Sequence, residues 1–233
     1  MTSRLAYEGG LMHVDAVIFD LDGTLADTLR DIAQAMDRVL ASAGLPTHDE
    51  DSYRRFVGRG ARVLVQLALP EEARDQEEAV LAAFLADYGE HLVIATRPYP
   101  GVDALLETLA SRAPRPRLAV LSNKPHDATQ RVVATIFPHH PFDAVYGQRP
   151  DWPRKPDPAS ALALAAELGV EPTRCLFVGD TAVDMETALR AGMTPVGCLW
   201  GFRDREELIR AGAAALVSRP AEIDRLLDRS PTS

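Results

Sequence analysis

Residues 16–25 read Ala-Val-Ile-Phe-Asp-Leu-Asp-Gly-Thr-Leu, an apolar run followed abruptly by two carboxylates, a glycine and a threonine. The β-branched and aromatic residues of the run predict a fully buried strand, so the acidic residues lie where this strand ends. In an open parallel α/β sheet, the carboxyl ends of the strands form the ligand crevice. We therefore expect Asp20 and Asp22 to project into such a crevice while Leu21 points back into the core.

Two carboxylates this close together repel each other and favour a bound cation. Hard cations prefer oxygen ligands and Mg²⁺ commonly brings a phosphate with it, so the pair suggests a Mg²⁺ site where one carboxylate attacks phosphorus. An acidic turn is the plainer interpretation, because Asp and Gly are common in turns. A calcium-binding EF-hand is excluded by spacing, since the required Gly and Glu positions counted from Asp20 hold Leu25 and Asp31.

The chain of 233 residues has an ordinary globular composition, with 46% hydrophobic and 25% charged residues. Its length fits one large domain or one domain with an insertion. The net charge of -9 argues against nucleic acid or an anionic membrane as the main partner. Cys175 and Cys198 lie in apolar runs and are interpreted as buried free thiols, which suits a reducing cytoplasm. Neither a membrane span nor a secretion signal is predicted.

The segment from Asp27 to about Tyr88 has apolar residues at helical spacing and no predicted strand. This pattern is typical of a small helical bundle inserted after the first strand. The proline-rich stretch Arg97–Gly101 is predicted to be the linker back to the main domain. Beyond it, predicted strands and helices alternate, as a parallel sheet with crossover helices requires. The predicted strands of this part are residues 118–121, 144–146, 175–178, 195–199 and 215–217.

Polar groups of complementary type recur in the second half of the chain. Ser122 and Asn123 follow one predicted strand, Lys155 lies in a proline-rich loop, and Asp180 and Asp184 follow another strand. Each has an ordinary explanation: a turn pair, a solvated loop lysine, and acids that cap a helix. Their recurrence in order at strand ends favours a single functional site.

With these motifs the chain resembles the haloacid dehalogenase superfamily of phosphotransferases, in its phosphoglycolate phosphatase-like branch. The resemblance covers nearly the whole chain from Val14 onward and rests on residues 20–25, 122–124, 155–158 and 179–184. It implies an α/β fold, with a Rossmann-like parallel sheet core, helices on both faces and an inserted α-helical cap. The expected division is an N-terminal extension at 1–12, the core at 13–26 and 97–233, and the cap at 27–96.

The resemblance also implies roles for individual residues. Asp20 matches the nucleophile that becomes an aspartyl phosphate, and Asp22 matches the general acid/base, whose backbone carbonyl also binds metal. Ser122 matches the residue that hydrogen-bonds the transferring phosphoryl group, and Lys155 the residue that neutralises its charge. The residues expected around the phosphate are Gly23, Thr24, Ser122, Asn123 and Lys155. The expected Mg²⁺ ligands are Asp20, Asp22 and Asp180, with Asp184 as a supporting acid.

The implied activity is a Mg²⁺-dependent phosphomonoesterase with an aspartyl-phosphate intermediate, and phosphoglycolate phosphatase is the favoured assignment. A sugar-phosphate phosphatase, a pyrophosphatase or a β-phosphoglucomutase would share this architecture. A receiver-like protein that is phosphorylated but not turned over is the non-enzyme alternative. It is disfavoured because a receiver has no use for a cap or for a proton donor at Asp22. We expect a small phosphorylated metabolite as partner, no nucleic acid or membrane, a monomer or homodimer, and a cytoplasmic location.

Substrate selectivity is expected to lie in the cap, where residues 56–61 resemble the cap loop of phosphoglycolate phosphatases. The predicted specificity residues are Gly58, Arg59 and Gly60. The glycines permit a tight turn and close backbone approach to a ligand. The planar guanidinium group of Arg59 suits a substrate carboxylate, and a surface arginine is the equally open alternative.

Overall fold

The computed structural model describes residues 14–140, 142–150 and 152–227, so the predicted extension at residues 1–12 lies outside the described residues. The strands are β1 (Ala16–Phe19), β2 (Ala26–Asp27), β3 (Arg97–Pro98), β4 (Arg117–Pro125), β5 (Ala144–Gln148), β6 (Cys175–Gly179), β7 (Thr194–Cys198) and β8 (Ala215–Val217). The helices are α1 (Leu29–Ser42), α2 (Glu50–Phe56), α3 (Ala61–Ala68), α4 (Glu77–Glu90), α5 (Val102–Ala110), α6 (His126–Ile136), α7 (Ala159–Leu168), α8 (Ala182–Arg190), α9 (Arg205–Arg210) and α10 (Ala221–Leu227). Short 3₁₀ helices span Glu71–Gln76 and Pro172–Arg174.

Six of the strands form one parallel sheet in the order β5-β4-β1-β6-β7-β8. Successive residues of β1 belong to different apolar clusters: Val17 and Phe19 pack on one face, and Ala16 and Ile18 on the other. Because strand side chains alternate between faces, both sides of the sheet are covered. The predicted α/β fold class is confirmed.

The sheet brings the polar strand ends to one edge. Phe19, the last residue of β1, is in register with Val120 of β4 and Val178 of β6. The chain continues from β1 outward through β4 and β5 on one side and through β6, β7 and β8 on the other. The strand order therefore reverses beside β1, which is where open α/β sheets bind their ligands.

Four helices, α1 to α4, are inserted between β1 and the rest of the sheet. The two connections to this cap pair as a short antiparallel ribbon, with Ala26 opposite Pro98 and Asp27 opposite Arg97. The first two residues of the predicted linker at 97–101 therefore form a strand. The sequence did not indicate this strand, because its partner lies about 70 residues away along the chain. The 3₁₀ helix at Glu71–Gln76 leads directly into α4.

The buried carboxylate of Asp31 in α1 anchors the end of the cap. It accepts hydrogen bonds from the backbone N–H groups of Ile94, Ala95 and Thr96, at 2.8–3.0 Å, and from the Thr96 hydroxyl at 2.7 Å. These bonds satisfy a buried anion and fix the return segment against the first cap helix. Within the described ranges, none of the helices combines the length and hydropathy that crossing a bilayer requires.

Candidate active site

Asp20 leaves the end of β1 and lies buried in the crevice. Its Oδ1 atom is 3.0 Å from the ammonium nitrogen of Lys155, but the contact lacks hydrogen-bond geometry, and Oδ1 has no hydrogen-bond donor among the described residues. Burial raises the pKa of Asp20 to about 7; Lys155 opposes the rise, and the carboxylates of Asp184 and Asp22 add to it. A further cation beside Asp20 would therefore favour its anionic form.

Lys155 is held between two of the strand ends. Its ammonium group donates hydrogen bonds to Asp184 Oδ1 at 2.7 Å and to the carbonyl oxygen of Leu121 at 2.9 Å, and it faces Asp20. Burial lowers the pKa of Lys155, but the carboxylates of Asp184 and Asp20 outweigh burial and the net shift is upward. The lysine therefore keeps a positive charge next to Asp20.

Asp180 follows β6, and Asp184 lies in the first turn of α8. The oxygens of Asp180 accept hydrogen bonds from the Thr24 hydroxyl and from the N–H group of Phe202, both at 2.8 Å. Burial raises the pKa of Asp180 well above its ordinary value. Oδ2 of Asp184 accepts from the backbone N–H and the hydroxyl of Thr181, at 3.0 and 2.7 Å. Asp184 thus caps its helix with one oxygen and binds Lys155 with the other.

The carboxylates of Asp20, Asp180 and Asp184 form a cluster in which one ligand oxygen from each lies within 4.8 Å of the others. Three buried acids, one with an oxygen that lacks a donor, are the donor set that a hard divalent cation such as Mg²⁺ prefers. The cluster includes the side chain of Asp184, which was predicted only as a supporting acid. The predicted ligand atom of Asp22 was its backbone carbonyl, and the absence of its side chain from the cluster is consistent with that prediction. Any metal contact of Asp22 is left to its backbone carbonyl.

The Asp22 side chain is committed to two other groups. Its Oδ1 accepts from the Thr28 hydroxyl at 2.7 Å, and its two oxygens lie 2.7 and 2.8 Å from the ammonium nitrogen of Lys124. Lys124 is buried, with its ammonium group 4.8 Å from the ring centre of Tyr88 in α4. Lys124 belongs to the motif at residues 122–124, but no role was predicted for it from the sequence. Its position directly after Ser122 and Asn123 at a strand end was the available signal.

Gly23 and Thr24 pack beneath the acidic cluster. Gly23 has φ +89°, and a β-carbon there would lie 2.3 Å from Asp180 Oδ2, so glycine is required for this close approach. The Thr24 hydroxyl is donated to Asp180. Both residues support Asp180 in this structure, and their predicted contacts with phosphate stay a prediction.

Ser122 and Asn123 are adjacent in the last part of β4, which continues to Pro125, and both are buried. The Ser122 hydroxyl oxygen accepts from the N–H of Lys124 at 3.2 Å, which leaves its proton available to an incoming acceptor. The Asn123 amide donates to the carbonyls of Lys155 and of Gly58 in the cap, both at 3.1 Å, and its oxygen accepts from the N–H of Lys155 at 2.9 Å. The Asn123 side chain therefore joins three segments and has no free donor for the predicted phosphate contact.

A cavity of about 470 Å³, counting the part open to solvent, lies between the strand ends and the cap; we call it the cap cavity. Its lining is Asp20, Asp22, Ile32, Val57, Gly58, Gly60, Ala61, Leu64, Phe84, Tyr88, Ser122, Asn123, Lys124 and Pro125. Gly58 and Gly60 thus lie at the predicted place. Arg59 is exposed and does not line the cavity, so its predicted contact with substrate is not supported by this structure.

The cap is held to the core through its backbone. Arg203, between β7 and α9, donates to the carbonyls of Arg54, of Arg55 at 3.0 Å and of Val57 at 2.8 Å, which are the unpaired carbonyls at the end of α2. Asn123 binds the Gly58 carbonyl as described above. A weaker contact joins Arg154 to the carbonyl of Arg59, at 3.4 Å.

Comparison with known proteins agrees with this geometry. A family model described as haloacid dehalogenase-like hydrolase matches residues 14–192. The chain therefore belongs to the haloacid dehalogenase-like hydrolases, and the predicted family is confirmed.

Two relatives and one solved structure define its neighbourhood within that family. The chain is 34% identical to the phosphoglycolate phosphatase of Aquifex aeolicus over 91% of this chain and 96% of the relative. It is 32% identical to the N-acetylmuramic acid 6-phosphate phosphatase of Pseudomonas aeruginosa, over 94% and 97% of the two chains. A crystal structure of a proposed phosphoglycolate phosphatase from Lactobacillus delbrueckii subsp. bulgaricus superposes with a TM-score of 0.85 at 29% identity, covering 93% of this chain and 99% of the other.

Proposed function

We propose that this protein is a Mg²⁺-dependent phosphomonoesterase that hydrolyses 2-phosphoglycolate to glycolate and phosphate through a phosphorylated Asp20. The observation that carries the proposal is the buried, donor-poor Asp20 carboxylate between Lys155 and two further acids, directly below the cap cavity. The phosphoglycolate phosphatase name of the Aquifex aeolicus relative supports the choice of substrate. The proposed core is residues 13–26 and 97–233, and the proposed cap is residues 27–96.

Asp20, Asp180 and Asp184 would hold the Mg²⁺ ion together with the Asp22 carbonyl, and Asp184 would also support the site through Lys155. When bound, this ion supplies positive charge that offsets the repulsion between a carboxylate nucleophile and a phosphate ester. Lys155 adds a fixed positive charge 3.0 Å from Oδ1 of Asp20. Most of the rate enhancement would come from positioning and electrostatics.

In the first step an oxygen of Asp20 forms a bond to phosphorus, and the bond from phosphorus to the leaving oxygen breaks. Asp22, in its protonated form, gives its proton to that leaving oxygen. Thr28 and Lys124 fix the orientation of the Asp22 carboxyl group. The Ser122 hydroxyl would donate a hydrogen bond to the transferring phosphoryl group.

In the second step the resulting Asp22 carboxylate accepts a proton from water as the water attacks phosphorus. The bond between phosphorus and Asp20 then breaks, which releases inorganic phosphate and restores both acids. The cap, held closed over the strand ends by Arg203 and Asn123, would exclude bulk water from the first step.

The proposal is tested by measuring phosphate release with Mg²⁺ from 2-phosphoglycolate, N-acetylmuramic acid 6-phosphate, glucose 1-phosphate, glucose 6-phosphate and pyrophosphate. We expect the highest kcat/KM for 2-phosphoglycolate. A higher value for the muramic acid ester would overturn the substrate and keep the reaction class. No release from any of these compounds would overturn the phosphatase proposal itself.

A further inference from the structure

The cap cavity has a charge deficit on its cap side. The cap residues that line it are apolar side chains, glycines and Tyr88. Among lining residues within the described part of the chain, Lys124 is the only cation, and it is already paired with Asp22. A substrate with a second anionic end would therefore need donors other than an arginine.

Tyr88 provides one such donor. Its side chain is 3% exposed, and its hydroxyl has no hydrogen-bond partner among the described residues. The ring stacks on Phe84, with centroids 5.5 Å apart and planes at 4°, and lies below the Lys124 ammonium group. Because an ammonium group is a donor only, the phenolic proton still needs an acceptor. Burying such a donor unsatisfied is costly, so an acceptor that arrives with the ligand is the physical explanation.

The start of α3 provides further donors at the same cavity. Gly60 and Ala61 line it, and the helix of eight residues has neither a capping side chain nor an acid in its first turn. The helical hydrogen bonds begin with the N–H of Leu64 bound to the carbonyl of Gly60. The N–H groups of residues 61–63 precede this bond, at the positive end of the helix dipole.

We propose that the cap cavity binds the substrate's carboxylate through the Tyr88 hydroxyl and the N–H groups at the start of α3, with Lys124 adding positive charge nearby. The inference rests on the proposed function and names the group that distinguishes one phosphate ester from another. Selectivity for a carboxylate would then depend on a phenol and on backbone donors, and the arginine of the cap loop would have no part in it.

The first test compares 2-phosphoglycolate with ethyl phosphate, which has a similar size and lacks the carboxylate. Tyr88→Phe keeps the stacking on Phe84 and the ring below Lys124. We expect kcat/KM for 2-phosphoglycolate to fall about 10- to 100-fold, mainly through KM, as for loss of a hydrogen bond to a charged group. The values for ethyl phosphate should stay within about twofold. Tyr146→Phe, on β5 and outside the cap cavity, is the matched control and should change neither substrate.

The second test removes a backbone donor. Ala61 is the first residue of α3, where proline is tolerated, and the extended ψ of 167° at Gly60 suits a following proline. Ala61→Pro should lower kcat/KM for 2-phosphoglycolate by about 3- to 10-fold and leave ethyl phosphate nearly unchanged. Equal losses on both substrates would assign these residues to cap packing and overturn the proposal, as would no loss in Tyr88→Phe.

A binding measurement separates this proposal from the proposed function. Calorimetric titration of 2-phosphoglycolate into Asp20→Asn protein needs no turnover. We expect binding that weakens at least about tenfold when Tyr88→Phe is added. If Tyr88→Phe weakens binding but the wild type does not turn over 2-phosphoglycolate, the proposed phosphatase activity is overturned and the carboxylate site is kept. If the wild type turns over 2-phosphoglycolate but Tyr88→Phe leaves binding unchanged, the carboxylate site is overturned and the phosphatase activity is kept.

Discussion

The core and the cap contribute to the site in different chemical ways. The core supplies buried charged side chains at strand ends, and Asp22, Asp180, Asp184, Lys124 and Lys155 each have at least one ionic or hydrogen-bonded partner there. The cap supplies apolar walls, glycine backbone, a helix start and one phenol. The proposed function therefore assigns reaction chemistry to the core and substrate choice to the cap.

The way that the two regions are joined reinforces this division. Core side chains bind cap carbonyls, from Arg203 to residues 54, 55 and 57 and from Asn123 to Gly58. Carbonyl groups do not depend on residue identity. Apart from Gly58 and Gly60, where φ is positive, side chains in the cap loop can therefore change without loss of the contacts that close the cap.

The largest loss of activity that distinguishes the core from the cap is expected for a substitution of Asp20 in the core. Asp20→Asn should reduce turnover by at least about a thousandfold, because an amide of the same shape is a far poorer nucleophile. The melting temperature should fall by no more than a few degrees, since the shape of the side chain is retained. Phosphate release and thermal unfolding of the same preparation check both expectations. Turnover near that of the wild type would contradict a nucleophilic role for Asp20.

Removal of the divalent cation should make the stability of the folded protein depend on pH through the acidic cluster. The pKa of Asp20 is raised from 3.8 to about 7, and that of Asp180 is raised too, so the folded, cation-free protein holds protons that the unfolded chain releases. The resulting stabilisation is present below about pH 4 and is lost as the pH rises through about 7. In EDTA, the melting temperature should therefore fall by roughly 5 °C or more between about pH 5 and pH 8.

Mg²⁺ should raise the melting temperature more at pH 8 than at pH 5, because it replaces the protons that the cluster has lost. Asp180→Asn should flatten the pH dependence, whereas Asp75→Asn, at an exposed cap residue, should leave it unchanged. A melting temperature at pH 8 that does not respond to Mg²⁺ would argue against the metal site.

The sequence predicted the fold class, the inserted helices and the strand-end groups, because these depend on local patterns. The spacing of apolar residues identifies helices and strands. In a parallel sheet, residues directly after the buried strands lie at the same edge of the sheet. The exact partners of Asp22 and Asp184 could not be predicted in this way. Both acids were expected near the metal, and only the packed structure shows which one turns toward Lys124.

The cap was less predictable for the same physical reason. Tyr88 lies four residues after Phe84, and this helical spacing predicts that both side chains are buried on one face. The spacing does not indicate that the Tyr88 side chain lines the cap cavity. Arg59 looked like the natural partner of a carboxylate, but the turn that directs Gly58 and Gly60 inward leaves the side chain between them outside. Both outcomes depend on how the cap docks on the core, which is a tertiary property.

Substitution of Arg203, which connects the core to the cap, should have an intermediate effect on activity. Arg203→Ala removes the donors to the end of α2, and we expect KM for 2-phosphoglycolate to rise about tenfold because the closed cap is less populated. Cleavage within the cap under limited proteolysis should become faster. Arg203→Lys should recover part of the loss, and Arg205→Ala, at an exposed neighbour, should behave as the wild type. A loss of turnover without a change in KM or proteolysis would contradict a role in cap closure.

The smallest effect is expected at Arg59, and it tests the comparison most directly. The carbonyl oxygen of Arg59 accepts a hydrogen bond from Arg154 at 3.4 Å, and the Arg59 side chain is exposed. Arg59→Ala should therefore keep kcat/KM within about twofold for both 2-phosphoglycolate and ethyl phosphate. The neighbouring Gly60→Ala should cost more, because φ is +88° there and a β-carbon would lie 3.2 Å from the carbonyl oxygen of Asn123. If Arg59→Ala instead impairs 2-phosphoglycolate alone, a charged cap side chain carries the recognition that we assign to Tyr88 and α3, and the division between a charged core and an uncharged cap fails.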